Sequence, residues 1–249
     1  MGINSDYTQP PVTEAVFEVK FEKSITADQV EKLARKLKIN HPHEQTINDI
    51  QLAIEQNKNS LNLNSKINTT NKGYWLASED QLDKVMISTS SIAIARLAPY
   101  TGWESLYDSF VKLWKKCKKN LGTVSISRLG VRYINRIDIP LYEDVKIDLD
   151  DYLEFAPKTP KFSEHPINDY LLRVTQNLDD NWRVNISSRA FPSPLISNTS
   201  LLLDIDLYTM IGTPLADETL FELISSARYL KNSIFEKCIT AKTRELFFK

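Results

Sequence analysis

The stretch Arg128-Leu129-Gly130-Val131-Arg132-Tyr133-Ile134-Asn135-Arg136-Ile137-Asp138-Ile139 decides how this chain folds. Its apolar residues come at every second place. Leu129, Val131, Tyr133, Ile137 and Ile139 share one side, with Asn135 among them, while Arg128, Gly130, Arg132, Ile134, Arg136 and Asp138 share the other. A period of two marks a β-strand with one buried face, because successive Cβ atoms leave the pleat on opposite sides. This strand, over roughly 123–139, is the longest the sequence offers.

Working outward, the segment before it changes period. Trp103, Leu106, Phe110, Leu113, Trp114, Cys117 and Leu121 fall at steps of three and four. That spacing predicts a helix opened at Thr101-Gly102 and ended at Gly122, with Lys112, Lys115, Lys116 and Lys119 toward solvent. Further back, Ile50/Leu52/Ile54, Leu61/Leu63, Tyr74-Trp75-Leu76, Val85-Met86-Ile87 and Ile92/Ile94 read as short strands parted by polar clusters, the look of an antiparallel meander. Ala15, Phe17, Val19 and Phe21 alternate as a first strand. Thr26 and Gln29 then form a capping-box pattern, and the helix it opens carries Val30, Leu33, Ala34 and Leu37 until His41-Pro42-His43 stops it.

Downstream, Pro140, Pro157, Pro160 and Pro166 mark an irregular connector with a short acidic helix near 148–155. A hairpin follows, Tyr170/Leu172/Val174 turning at Asp179-Asp180 into Trp182/Val184/Ile186. Leu201, Leu203, Ile205 and Leu207 make another strand. Asp217 is expected to cap a last long helix bearing Leu220, Leu223, Ile224, Ala227, Leu230 and Ile234, which Thr240 restarts or continues. Strands in runs with few helices between them predict an α+β fold: an extended, mostly antiparallel sheet with long amphipathic helices packed on it. Residues 1–140 and 165–249 form its two halves, joined by connector 141–164 into one compact unit. Both halves read as strands followed by one long helix, a repetition of topology with no residue-level repeat behind it.

Composition narrows the function. The 249 residues hold 42% hydrophobic and 25% charged side chains, and 31 Lys+Arg against 32 Asp+Glu leave a net charge of −1. Such a balance predicts neither a nucleic acid nor a membrane as partner from whole-chain electrostatics. Six glycines are too few for a fold built on phosphate loops, and three histidines and two cysteines too few for most metal or thiol chemistry. Cys117 and Cys238, both on apolar helix faces, are expected to be buried structural thiols. No basic segment followed by an apolar stretch opens the chain and no run of about 18 apolar residues exists, so a cytoplasmic location with no membrane contact is expected.

Several motifs resemble a known family. Pro10-Pro11-Val12-x-Glu14-Ala15-Val16-Phe17-Glu18-Val19 with Phe21, Gly73-Tyr74, Tyr100-x-x-Trp103, the strand from Arg128 to Ile137, Phe235-Glu236-x-x-Ile239-Thr240 and Arg244-Glu245-Leu246-Phe247 are similar to a sporadically distributed bacterial family of unassigned function. The resemblance spans nearly the whole chain. It implies an accessory-genome bacterial protein, of the patchy distribution common to defence and toxin–antitoxin genes.

The candidate site is Arg128, Arg132 and Arg136. Steps of four on one strand face set them about 13–14 Å apart. They suit an acidic partner segment or a polyanion, or else an ion-pair ladder with carboxylates of a neighbouring strand, Asp204 and Asp206 first among them. Arg132, flanked by the other two, is expected to be the structural one, with Arg128 or Arg136 accessible. Residues 103–136 hold eight Lys/Arg and two Asp/Glu, net +6, and residues 137–182 hold four and eleven, net −7, so the acidic connector folding over the basic surface is a second structural expectation. Asp204 and Asp206 with Asp138 lack the loop glycine of a calcium site, and His41/His43 lack cysteine partners, so no metal is expected. His165 has no nucleophile near it in sequence, and no cofactor motif is present. Trp75, Trp103 and Trp114 are read as core. The function expected is a non-enzymatic binding protein holding a protein partner, a toxin or other effector encoded nearby. The alternative is a nucleic-acid or phosphate-ligand binder using the three arginines with the lysines of the 112–119 helix. A homo-oligomer is compatible with either.

Overall fold

A strand with one apolar and one charged face needs neighbours on both edges and a cover on one side. The computed structural model describes residues 7–56, 63–141, 147–158, 160, 167, 169–179, 181–211 and 216–248, with 50–56 and 63–69 described by their backbone only. Its elements are β1 (Val12–Phe21), α1 (Ala27–Leu37), β2 (His43–Gln56), β3 (Leu63–Ala77), β4 (Asp83–Ser88), β5 (Ser91–Leu97), α2 (Trp103–Leu121), β6 (Ile126–Pro140), β7 (Leu171–Asn177), β8 (Trp182–Phe191), β9 (Asn198–Met210), α3 (Asp217–Cys238) and α4 (Ala241–Glu245). The strands form one nine-stranded sheet in the order β2-β3-β4-β5-β1-β6-β9-β8-β7. Every neighbouring pair is antiparallel, so the fold is α+β with an antiparallel sheet.

The order reads outward from the β1–β6 junction in both directions. β1 pairs with β5, the last strand of one meander, and β6 pairs with β9, the last strand of the other. Each meander is followed by a long helix, α2 or α3. The four-stranded meander β2–β5 and the three-stranded meander β7–β9 thus meet through β1 and β6, in a register of Ala15 to Tyr133, Phe17 to Val131 and Val19 to Leu129.

Burial follows the alternation. Ala15, Phe17 and Val19 of β1, Leu129, Val131 and Ile137 of β6, and Leu203, Ile205 and Leu207 of β9 are almost wholly excluded from solvent. Helix α2 supplies the cover, setting Trp103 and Phe110 against Phe17 at ring distances of 4.9 and 5.8 Å. Each large apolar side chain buried this way contributes about 1.5–3 kcal/mol. Helix α1 begins as its sequence predicts: Gln29 N–H donates to Thr26 Oγ1 at 3.2 Å, and Thr26 N–H donates back to Gln29 Oε1 at 2.9 Å. Gly122 ends α2 with φ of 72°, the left-handed region that favours glycine.

Several expectations need correction. Leu63 and Tyr74-Trp75-Leu76, expected in separate strands, lie in one, β3, which pairs with β2 as a long hairpin. Asn71, which reads as a loop residue, sits inside β3, its Oδ1 accepting from Gly73 N–H at 2.8 Å beside an irregularity in the β2–β3 register. Asp217 does not cap α3, since Ala216 holds that position; the Asp217 carboxylate accepts from Trp114 Nε1 and Lys118 Nζ, each at 2.9 Å, and ties α3 to α2. The acidic helix near 148–155 is only a 3-10 turn, Leu149–Asp151. It packs on the C-terminal elements: Leu153 bridges Ile239, Thr243 Oγ1 donates to the Tyr152 carbonyl at 2.6 Å, and Lys242 pairs with Asp151 at 2.8 Å. The described part of the connector therefore does not fold over the arginine strand. Trp103 and Trp114 are core, but Trp75 is 38% exposed. The turn at Asp179-Asp180 and His165 lie partly or wholly outside the described residues.

Candidate binding face

Opposite the helices, the pleat presents a second face on which no described helix packs. Its rows are read from the register. Val16, Arg132, Asp206 and Asn185 lie side by side across β1, β6, β9 and β8, and Glu14, Ile134, Asp204 and Ser187 form the next row.

All three candidate arginines lie here, and each meets a carboxylate. Arg128 donates through Nη1 to Glu18 Oε2 at 2.7 Å and through Nη2 to both oxygens of Asp206 at 2.7 and 2.8 Å. Its guanidinium also lies 4.6 Å from the centre of the Tyr208 ring. This position is open only because residue 130 is glycine: a Cβ there would run into the Arg128 guanidinium. Arg132 grips Asp204 with two parallel bonds, Nε to Oδ1 at 2.9 Å and Nη2 to Oδ2 at 2.6 Å. Those bonds hold its proton still more firmly, raising an already high pKa. Arg136 uses Nε alone, donating to both oxygens of Asp138 at 3.0 and 3.1 Å.

The pairing is diagonal. In register Arg132 lies opposite Asp206, yet it bonds Asp204, and Arg128 takes Asp206. Diagonal neighbours in an antiparallel pair sit about 7–8 Å apart, within reach of an arginine. The order of exposure is the reverse of the expected one. Arg132, expected to be the structural one, is the most open at 48%; of the two candidates for accessibility, Arg136 stands at 30% and Arg128 is closed down to 15%. Arg128 is enclosed because it has carboxylates on both flanking strands, whereas Arg132 has one. Asn135 lies on the covered face beside an irregularity in the β1–β6 register, and its Nδ2 donates to the Leu203 carbonyl at 3.1 Å.

The face also holds arginines that the sequence pattern does not single out. Arg173 of β7 and Arg183 and Arg189 of β8 are exposed and form no ion pair among the described residues. Across β9 they meet no acid, since Arg183 lies opposite Tyr208 and Arg189 opposite Leu202. Arg189 leans on the Phe191 ring at 5.5 Å. Arg132, Arg173 and Arg189, with Leu171, Leu202 and Asn185, line a depression of about 370 Å³. Leu171 on its rim is 71% exposed. The signal available in sequence was the alternation of β8, Trp182/Val184 inward and Arg183/Asn185 outward.

The lysines of α2 do not join this surface. Lys112, Lys115, Lys116 and Lys119 are exposed, but α2 packs on the covered face, so the sheet stands between them and the arginines. Among the described residues no three His, Cys, Asp or Glu gather to hold a metal ion, and Asp138, Asp204 and Asp206 are each occupied by an arginine. Cys117 and Cys238 are free and buried, and burial pushes their thiols up to about 12 and about 11. Among the described residues no helix is long and apolar enough to cross a membrane. No family model matches the chain, and no curated protein matches it.

Proposed function

We propose that the chain is a non-enzymatic binding protein that holds a protein partner on the open face of its sheet. The observation that carries the reading is the set of arginines without carboxylates, Arg173, Arg183 and Arg189, beside the matched trio Arg128, Arg132 and Arg136. An acidic segment fits there. Its carboxylates take the unmatched guanidiniums, and apolar side chains among them meet Leu171, Leu202 and Phe191. Arginine suits this task because its planar fork gives a carboxylate two parallel bonds.

A nucleic-acid backbone is the weaker fit. The lysines of α2, which that reading adds to the three arginines, are on the other side of the sheet, and a phosphate backbone has nothing apolar to set against Leu171 and Phe191. In this reading the long amphipathic helices serve as backing that keeps the face rigid. The resemblance to an accessory bacterial family makes the product of a neighbouring gene, a toxin or other effector, the partner, met in the reducing cytoplasm.

A photocrosslinker tests this in the cells that encode the chain. Benzoylphenylalanine in place of exposed Thr175 on the open face should give one protein adduct of fixed mass, and in place of Lys115 on α2 should give none. Arg173→Ala with Arg189→Ala should reduce the adduct about tenfold or more, since each charged hydrogen bond lost costs about 1.5–3 kcal/mol. A nuclease-sensitive adduct, an adduct of twice the chain's own mass, or equal yield from both positions would sink the reading.

A further inference from the structure

Under the helices, on the other side of the sheet from the arginines, lies a cavity of about 430 Å³ between α2, α3 and the middle of β6. That is within the range of small-molecule sites. One part of its wall is aromatic: Trp103 stacks on Tyr133 at 6.4 Å with 11° between the rings, and Tyr100 meets Tyr133 edge-on at 5.6 Å.

One cation in it lacks a carboxylate. Lys231 Nζ sits 3.9 Å above the centre of the Tyr133 ring and donates to Asn232 Oδ1 at 2.6 Å, and it forms no ion pair among the described residues. The carboxylates that border the same cavity are taken. Glu104 pairs with Arg228 at 2.7 Å, and Glu236 pairs with Arg244 at 2.7 Å while also accepting from the Tyr7 hydroxyl. A second donor stands ready. The Tyr100 and Tyr133 hydroxyls are 2.7 Å apart, so one proton lies between them and the other is left to point elsewhere.

We propose that this cavity binds a small aromatic or otherwise apolar carboxylic acid as its anion, with the Lys231 ammonium as counter-ion and the remaining tyrosine hydroxyl as second donor. The aromatic walls hold the organic body, and the single unmatched charge sets the preference for a monoanion over a phosphate dianion. Without ligand the site disfavours the ammonium: burial, with Arg228 nearby, lowers the Lys231 pKa to about 7. The other charged or titratable groups around it are Arg228 and Glu236 of α3, Glu104 of α2, Tyr133 of β6, and Tyr100 and Tyr7 from the loops. A bound carboxylate adds the missing negative charge and must raise that pKa.

The test uses benzoate and phenylacetate as probes, with benzamide as the neutral isostere and inorganic phosphate as the dianion. At concentrations about ten times its Kd, benzoate or phenylacetate should raise the melting temperature by about 3 °C or more. Benzamide and phosphate should not. In protein carrying 13Cε-lysine, the Lys231 resonance should titrate at least one pH unit higher with the acid present. Lys231→Met should lose the thermal shift, and Lys231→Arg should keep part of it. An equal shift with benzamide or phosphate, a shift that survives in Lys231→Met, or no movement of the Lys231 titration with either acid overturns the proposal. The resonance is read in the unaltered chain, so a variant that fails to fold does not shelter it.

Discussion

Arg132 and Tyr133 are neighbours in the chain and face opposite sides of the sheet, and the two sides treat positive charge in opposite ways. Arg132 is met by a carboxylate, while the Lys231 ammonium above Tyr133 is met by an aromatic ring. The difference comes from β9. Its acids, Asp204 and Asp206, share one face of the strand, while Leu203, Ile205 and Leu207 fill the other. The open face is supplied with counter-ions by the pleat itself. The covered face depends on the helices, whose nearest acids are already paired with arginines. Matched charge holds the fold together; unmatched charge marks a place for something else.

The largest expected effect tests the matched side. Arg128→Ala removes a guanidinium that answers two carboxylates and leaves Glu18 and Asp206, both mostly enclosed, to repel one another. Breaking a fully buried pair costs about 3–5 kcal/mol, and this partly screened one should cost about 2–3 kcal/mol. A thermal melt should fall by about 5–10 °C. Gly130→Ala attacks the same contact from outside, because its new Cβ displaces the Arg128 guanidinium. It should cost about 1–2 kcal/mol alone and much less in the Arg128→Ala background. Additive losses would mean that the glycine serves the backbone and not the arginine.

Lys231→Met carries the opposite sign. Removing an unmatched cation from the covered side, with the stem's apolar volume kept, should raise stability at pH 7 by about 1 kcal/mol. The pH dependence follows from linkage. The folded pKa of Lys231 is about 7, below the value near 10.4 of an unfolded lysine. Between these two values an unfolded lysine holds more protons than Lys231 does, so the Lys231 contribution to stability rises with pH from about 7 to about 10, opposed above about 8.5 by the buried Cys117 and Cys238 thiols. Tyr133 and Tyr100 then reverse it, since burial lifts both, Tyr100 to about 12, and their contribution is lost as pH climbs beyond about 10. Urea melts at pH 7, 8 and 9 should show the rise in the unaltered chain, and in Lys231→Met a fall toward pH 9, because the buried Cys117 and Cys238 thiols hold their protons above the unfolded thiol range. A rise of equal slope in the variant would place its origin elsewhere.

How much of this was legible in the sequence depends on how local each feature is. The alternation from Leu129 to Ile139 announces a strand, and Thr26 with Gln29 announces a helix start, because both are written in adjacent residues. The long β2–β3 hairpin is hidden because Asn71 carries a turn chemistry that here serves Gly73 inside a strand. That the arginines answer Asp204 and Asp206 can be guessed from their faces, but the diagonal offset depends on the β6–β9 register, which is a tertiary fact. Exposure is set in the same non-local way: Arg128 is closed in by Glu18 of β1, a strand more than a hundred residues away in the chain. Lys231 is invisible in sequence. A lysine beside an asparagine on a helix reads as solvated, and only the packing of α3 over Tyr133 takes it partly out of water.

The smallest expected effect on stability belongs to Arg132. Its two bonds to Asp204 are well formed, but the side chain is 48% exposed, and solvent screens the pair. Exposed pairs contribute about 0.2–1 kcal/mol, so Arg132→Ala should lower the melting temperature by only about 1–3 °C. Asp204 lies opposite Ser187 on β8 and stays reachable by water, so the carboxylate left behind needs no new counter-ion. If the open face holds an acidic segment, the same substitution should weaken the Thr175 adduct well beyond its effect on melting, because Arg132 lines the depression between β6 and β7 and its removal leaves Asp204 to repel the incoming acid. A drop of 8 °C or more, on the order of that expected for Arg128→Ala, with the adduct unchanged, would make Arg132 a second structural arginine. The recognition would then rest on Arg173, Arg183 and Arg189 alone.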